Sequence, residues 1–130
     1  MRTMGNHGVR DQVEPKTYIA SIDNLDRAAQ TLHVELGKTM EALVEARDAA
    51  LGGTPLVDIV VALANGQGGR EIRDRTVKAF AAYEHAMTLH RSVAIRALVD
   101  DGGMTFSQVA RLGGVSRQMI ARLYAADPLT

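Results

Sequence analysis

A chain of 130 residues, 46% of them apolar, can bury a core as one domain or as one domain with an extension. It has no Cys, which excludes disulfides, thiolate metal sites and thiol catalysis, and no apolar run approaches the ~20 residues that span a bilayer. Zero formal net charge hides an asymmetry: residues 1–90 carry ten Lys or Arg against twelve Asp or Glu, whereas residues 91–126 carry five Arg against Asp100 and Asp101. A polyanion meets the local field of one face, not the sum. With no apolar signal core near the N-terminus, a cytoplasmic location is expected.

Two Phe and three Tyr in a chain rich in Ala, Leu, Val and Arg favour helix over sheet. Residues 1–20, with Gly5, Gly8, Pro15 and no period, read as a flexible arm. From Ser21 the pattern turns helical. Ile22, Leu25, Ala29, Leu32, Leu36, Met40, Leu43 and Ala50 recur at three- and four-residue steps, Ser21 or Asp23 is placed to cap the start, and Gly52-Gly53 ends the helix. Leu25, Ala29, Leu32, Leu36 and Leu43 fit a heptad that Thr39 and Ala46 weaken. So long a helix needs a partner to cover its stripe.

A second helix starts at Thr54-Pro55, with Asp58 near its positive end. Leu56, Val57, Ile59, Val60 and Leu63 make it apolar around most of its circumference, so it is expected to be deeply buried. "NGQGG" at residues 65–69 breaks the chain; without a preceding strand or a Gly-Lys-Ser/Thr it reads as a helix connection, not a phosphate loop. The third helix is expected from about Arg70 to Val99, striped by Ile72, Thr76, Ala79, Phe80, Tyr83, Met87, Ala94 and Leu98. "DDGG" stops it, glycine supplying the left-handed conformation. No stretch alternates with period two, so the class is all-α.

The C-terminal stretch "TFSQVARLGGVSRQMIARLY" has two short helices. Thr105 and Gln108 have capping-box spacing, and Ser116 is a second N-cap after Gly113-Gly114. Neither helix is long enough to persist alone, so they must pack on each other and on the preceding helix. Val109, Val115, Ile120 and Leu123 are expected to face Ile95, Leu98 and Val99. Gly114 permits the tight turn.

Ala110, Gly114, Val115 and Ile120 fall at the spacing of helix-turn-helix DNA-binding proteins. "GGVSRQMI" resembles the turn of many small bacterial transcriptional regulators, and "IRALVDDGG" resembles the first helix of the same three-helix unit. The resemblance covers about residues 91–126; Gly113 departs from it, since such proteins commonly carry leucine there. It implies that the helix after Ser116 enters the major groove of double-stranded DNA. The residue types suit that task. Ser116, Arg117 and Gln118 open the helix, Gln118 has the donor–acceptor pair that reads adenine, and Arg117 can read guanine or grip phosphate. Arg122 lies one turn beyond Gln118. Thr105, Ser107 and Gln108 open the supporting helix, within reach of the phosphate backbone.

Other constellations carry less. Glu84, His85 and His90 invite a metal reading, but the five-residue step from His85 to His90 sets them apart around a helix. No Ser-His-acid grouping stands out, so no catalytic, cofactor or metal residue is assigned and an enzyme is not expected. The sequence reading is therefore an all-α DNA-binding protein. It has an arm (1–20), a helical dimerisation region (21–90), a helix-turn-helix unit (91–126) and a tail (127–130), and acts as a homodimeric transcriptional regulator. An accessory factor for recombination, plasmid maintenance or nucleoid organisation remains open, as does a helical adaptor whose arginines form only a solvated face.

Overall fold

The structure, a computed structural model, describes residues 13–65 and 69–126. Among these residues there is no strand. The helices are α1 (Pro15–Leu51), α2 (Leu56–Asn65), α3 (Gly69–Arg96), α4 (Phe106–Gly113) and α5 (Arg117–Ala125). A π-helical turn, Ala97–Asp101, continues α3. The chain is all-α, as its composition and periodicity predict. The described residues form two compact units, 13–25 with 85–126 and 26–84, so α1 and α3 each contribute a segment to both.

α1 begins at Pro15, earlier than the start expected at Ser21, because proline suits a first helical turn, where its missing N–H costs nothing. Ser21 is therefore no cap. It is buried inside the helix, and its hydroxyl donates to the Tyr18 carbonyl at 2.7 Å. The same hydroxyl lies within hydrogen-bonding distance of His90 Nδ1, at 3.1 Å, and the Tyr18 ring stands 5.6 Å from the His90 ring. Residues 1–12 of the expected arm and the tail at 127–130 lie outside the described residues.

Nine α1 residues turned from solvent recur at alternating steps of four and three: Ser21, Leu25, Ala28, Leu32, Glu35, Thr39, Ala42, Ala46 and Ala49, with Ala29, Gly37 and Lys38 half-buried beside them. On α3 the same rhythm runs through Ile72, Thr76, Ala79, Tyr83, Ala86, His90 and Val93. This is the spacing of helices that pair along a narrow seam. Thr39 and Ala46, which weaken the heptad read from sequence, belong to the true one, while Ala29, Leu36 and Leu43 stand beside it. In the 26–84 unit Glu35 and Thr39 meet Arg75 and Thr76, and Ala42, Ala46 and Ala49 share a cleft with Gly69 and Ile72. The two helices thus run in opposite directions. Counted from the Thr39–Thr76 contact, that register sets Leu32 level with Tyr83.

The seam has a polar layer. Thr39 Oγ1 donates to the Glu35 carbonyl at 3.2 Å and Thr76 Oγ1 to the Ile72 carbonyl at 2.8 Å. The two hydroxyls are also 3.1 Å apart. Two protons serve three contacts, so the cross-helix bond forms only when one backbone bond is released. Glu35 is buried but lies between Lys38 (3.4 Å) and Arg75 (3.5 Å), which offset its negative charge.

α2 departs from expectation. It turns Ile59 and Leu63 toward an open cleft of about 480 Å³ shared with α1, while Leu56, Val57, Val60 and Val61 are more than half exposed. A ten-residue helix that faces a single cleft can cover only one stripe, and no other described element lies over the rest. Phe80, expected in the α3 stripe, is also 51% exposed, because it stands one position past the seam residue Ala79.

Seam and flank differ in energetic weight. Leu32→Ala is expected to cost about 2 kcal/mol of stability through lost burial and a cavity, whereas Val34→Ala, away from the seam, should stay within about 0.5 kcal/mol. Urea unfolding followed by circular dichroism measures both. Equal effects would mean that the seam is misassigned.

Candidate nucleic-acid interface

The end of α3 presents the short helices. In the π turn the Gly102 N–H reaches the Ala97 carbonyl at 3.0 Å, and Met104 N–H then returns to the Leu98 carbonyl at 3.1 Å. The two glycines of "DDGG" do different work. Gly103 takes the expected left-handed conformation, at φ +68°. A Cβ on Gly102 would sit 2.7 Å from the Leu98 carbonyl oxygen, so the close backbone approach excludes a side chain.

α4 begins as predicted. Gln108 N–H donates to Thr105 Oγ1 at 3.1 Å, and Thr105 N–H donates to Gln108 Oε1 at 2.9 Å, a reciprocal capping box. The cap occupies Gln108 Oε1 and leaves its amide N–H₂ for an external acceptor. Gly114, at φ +68° and ψ 31°, ends the helix in the left-handed conformation, its N–H on the Ala110 carbonyl. α5 then starts on a second cap, Met119 N–H donating to Ser116 Oγ at 3.0 Å.

Ile95, Val109, Ala110 and Ile120 are buried together, with Leu98, Val99, Met104, Phe106, Leu123 and Tyr124 packed around them. Val115 does not join them: it is 39% exposed in the turn, because the chain leaving Gly114 carries it past the core. Leu112, on the outer side of α4, is exposed as well. Gly113 has ordinary helical conformation, and a Cβ there would meet only a Val115 methyl at 3.8 Å. The leucine that resembling proteins carry at this position would thus meet no backbone obstacle.

Burying Ile120, Leu123 and Tyr124 turns the rest of α5 outward. Ser116, Arg117, Gln118 and Arg122 are all exposed, as are Thr105, Ser107, Gln108 and Arg111. Gln118 and Arg122, four residues apart, share one side of the helix. Residues 102–126 contain no Asp or Glu, so α4 and α5 offer a face of cations and hydrogen-bonding groups without an acid. The guanidinium of Arg117 lies 5.6 Å from the Phe106 ring centre, near enough for a cation–π attraction that steadies the first residue of α5. Phe106 in turn stands 5.2 Å from Tyr124.

Several anchors of this face are absent from the sequence reading. Tyr124 donates its hydroxyl proton to Asp100 Oδ1 at 2.7 Å, which ties α5 to the π turn. Asp101 accepts from the Val13 N–H at 3.3 Å. The carbonyl of Ala126, just past the end of α5, accepts from Arg96 Nη2 at 2.9 Å and Ser92 Oγ at 3.2 Å. The readable signal was the i, i+4 spacing of Ser92 and Arg96; their acceptor, 30 or more residues away, left none. His90, weighed as a metal ligand, is instead engaged with Ser21, and among the described residues no three His, Cys, Asp or Glu side chains gather to hold a metal.

No family model matches the chain, and neither a curated protein nor a solved structure matches it. No described helix is long and apolar enough to cross a membrane.

The turn makes its own demand. Gly114→Val should destabilise the α4–α5 pair by about 1–2 kcal/mol, since an L side chain resists positive φ, while Gly113→Ala should be neutral or stabilising by up to about 1 kcal/mol. Thermal unfolding of the two variants tests the contrast, and the reverse order would place the turn elsewhere.

Proposed function

We propose that this chain is a sequence-specific, double-stranded-DNA-binding protein, a homodimeric transcriptional regulator that presents α5 to the major groove. The observation that carries the reading is the exposed, acid-free face on which Ser116, Arg117 and Gln118 open α5 and Arg122 stands in its last turn, on a helix capped by Ser116 and seated on a buried core. The first turn of α5 adds outward backbone N–H groups and the positive end of the helix dipole, which favour a phosphate. Two short helices joined by a three-residue turn, resembling the helix-turn-helix unit, are the sequence-level support for placing α5 rather than α4 in the groove.

In this reading Gln118 reads a base edge, Arg122 neutralises phosphate, and Thr105, Ser107 and the Gln108 amide position α4 on the backbone. Arg117 is held over Phe106 and so meets DNA with its head group preoriented. One nine-residue helix reads too few base pairs for useful specificity, so two chains are expected on an inverted repeat with half-site centres about 34 Å apart. The region from Ser21 to Tyr83 supplies the self-association.

Fluorescence anisotropy on a selected site and on mixed duplex, across a salt series, tests this. Affinity should fall steeply with salt. Gln118→Ala should weaken the selected site by about 1–3 kcal/mol and relax preference at one base pair. Arg122→Ala should weaken all duplexes alike and reduce the salt slope by about one. Unchanged affinity and slope in both variants would remove the docking face; no binding by the wild type would remove the function and favour the adaptor.

A further inference from the structure

The seam leaves a second row of residues uncovered. On each helix the residue just after a seam position turns to one side, and in an antiparallel pair that side is the same for both helices. In the 26–84 unit those residues are Leu36, Met40 and Leu43 on α1 and Val77 and Phe80 on α3, all exposed, Met40 by 64%. The residues preceding seam positions lie on the other side, among them Lys38, Glu41 and Glu45, and these line the cleft toward α2. α2 therefore sits on the polar side, and nothing described lies over the apolar one.

We infer that a second copy of this chain covers that apolar side, with α1 packed antiparallel on α1 of the partner about a two-fold axis at Leu36. The proposal rests on the dimeric reading above and specifies its interface. The argument is self-complementarity. The outward row of α1 runs Asp26, Ala29, His33, Leu36, Met40, Leu43, Arg47 and Ala50, again at steps of three and four. Turning it end for end about Leu36 sets Leu36 against itself, Ala29 against Leu43, His33 against Met40 and Asp26 against Arg47. Small meets large, and acid meets base at both ends.

Asp26 and Arg47 each lie roughly 16 Å of helix rise from the axis, so they close the rims of the apolar patch. The Asp26 carboxylate is already steadied on this side by Gln30, whose amide donates to it at 2.8 Å. Arg73, on the same side of α3, has a stem long enough to carry its head to the rim. Each of the five large apolar side chains leaves on the order of 100 Å² open, so two copies would cover roughly 1,000 Å² with these residues alone, the size at which specific interfaces begin.

The absence of native cysteine makes the test direct. In the full-length protein, Leu36→Cys should form a disulfide-linked dimer on mild oxidation, because only a residue on the axis meets its own copy within bonding range. Val57→Cys, on the exposed stripe of α2, should not. Sedimentation should show a wild-type dimer, and Met40→Lys with Phe80→Glu should yield monomers of unchanged helicity, since both positions are solvent-facing in the single chain. Arg47→Asp should raise the dimer dissociation constant about tenfold by setting like charges opposite each other, and adding Asp26→Arg should restore it to within about threefold. A dimer that cross-links through Val57→Cys but not Leu36→Cys would overturn this interface and leave the dimeric reading standing. A wild-type chain monomeric at all concentrations would overturn both.

Discussion

Pairing of α1 with α3 along steps of four and three residues is the constraint to which the other elements answer. It decides which residues of two long helices leave water, and the selection is not the most apolar one available. Ser21, Glu35, Thr39, Thr76 and His90 occupy seam positions, while Leu36, Met40, Leu43 and Phe80 remain outside. A purely apolar seam would let the helices slide by a heptad at little cost. A slip of the present seam would separate the Glu35 carboxylate from Arg75 and the Thr39 hydroxyl from that of Thr76, the two polar contacts that cross from one helix to the other.

The same pairing supports the C-terminal helices. α1 contributes Tyr18 and Ser21 to the unit that holds α4 and α5, where they meet His90, and the Val13 N–H reaches Asp101 beside the π turn. The two short helices thus rest on more than the three-helix unit their sequence suggests. A wider turn at Ala97–Asp101, a glycine that admits a carbonyl at close range, and the Arg96 and Ser92 bonds to Ala126 together fix α5 against the end of α3. Fixing that helix costs the exposed face nothing, since Gln118 and Arg122 take no part in it. A face whose side chains are not consumed by packing is what the proposed contact with DNA requires.

The charge arrangement shows a similar division. Among the described residues, the two acids nearest α4 and α5 are Asp100, which accepts the Tyr124 hydroxyl, and Asp101, which accepts a backbone N–H, so both serve the scaffold, while the charged residues of 102–126 are all arginines. The balance near neutrality over the whole chain is therefore compatible with the proposed polyanion partner. Counter-charges sit on the long helices, where Lys38 and Arg75 flank Glu35.

Composition and spacing determined the all-α class, the stop at Gly52-Gly53, the capping box at Thr105 and Gln108, the cap at Ser116 and the left-handed Gly114. Each is a local matter, a hydrogen bond or a φ angle settled within four or five residues, so the residue types alone suffice. The tertiary structure decided what depends on register between segments far apart in the chain. Two interleaved stripes on α1 share one helical period, and only contact with α3 shows that Thr39 and Ala46 face inward while Leu36 and Leu43 do not. Likewise, α2 has the composition of a buried helix but faces a single cleft, and Val115 leaves a turn whose exit direction carries it away from the core. A period identifies a helix, whereas the face it buries is chosen by the partner it meets.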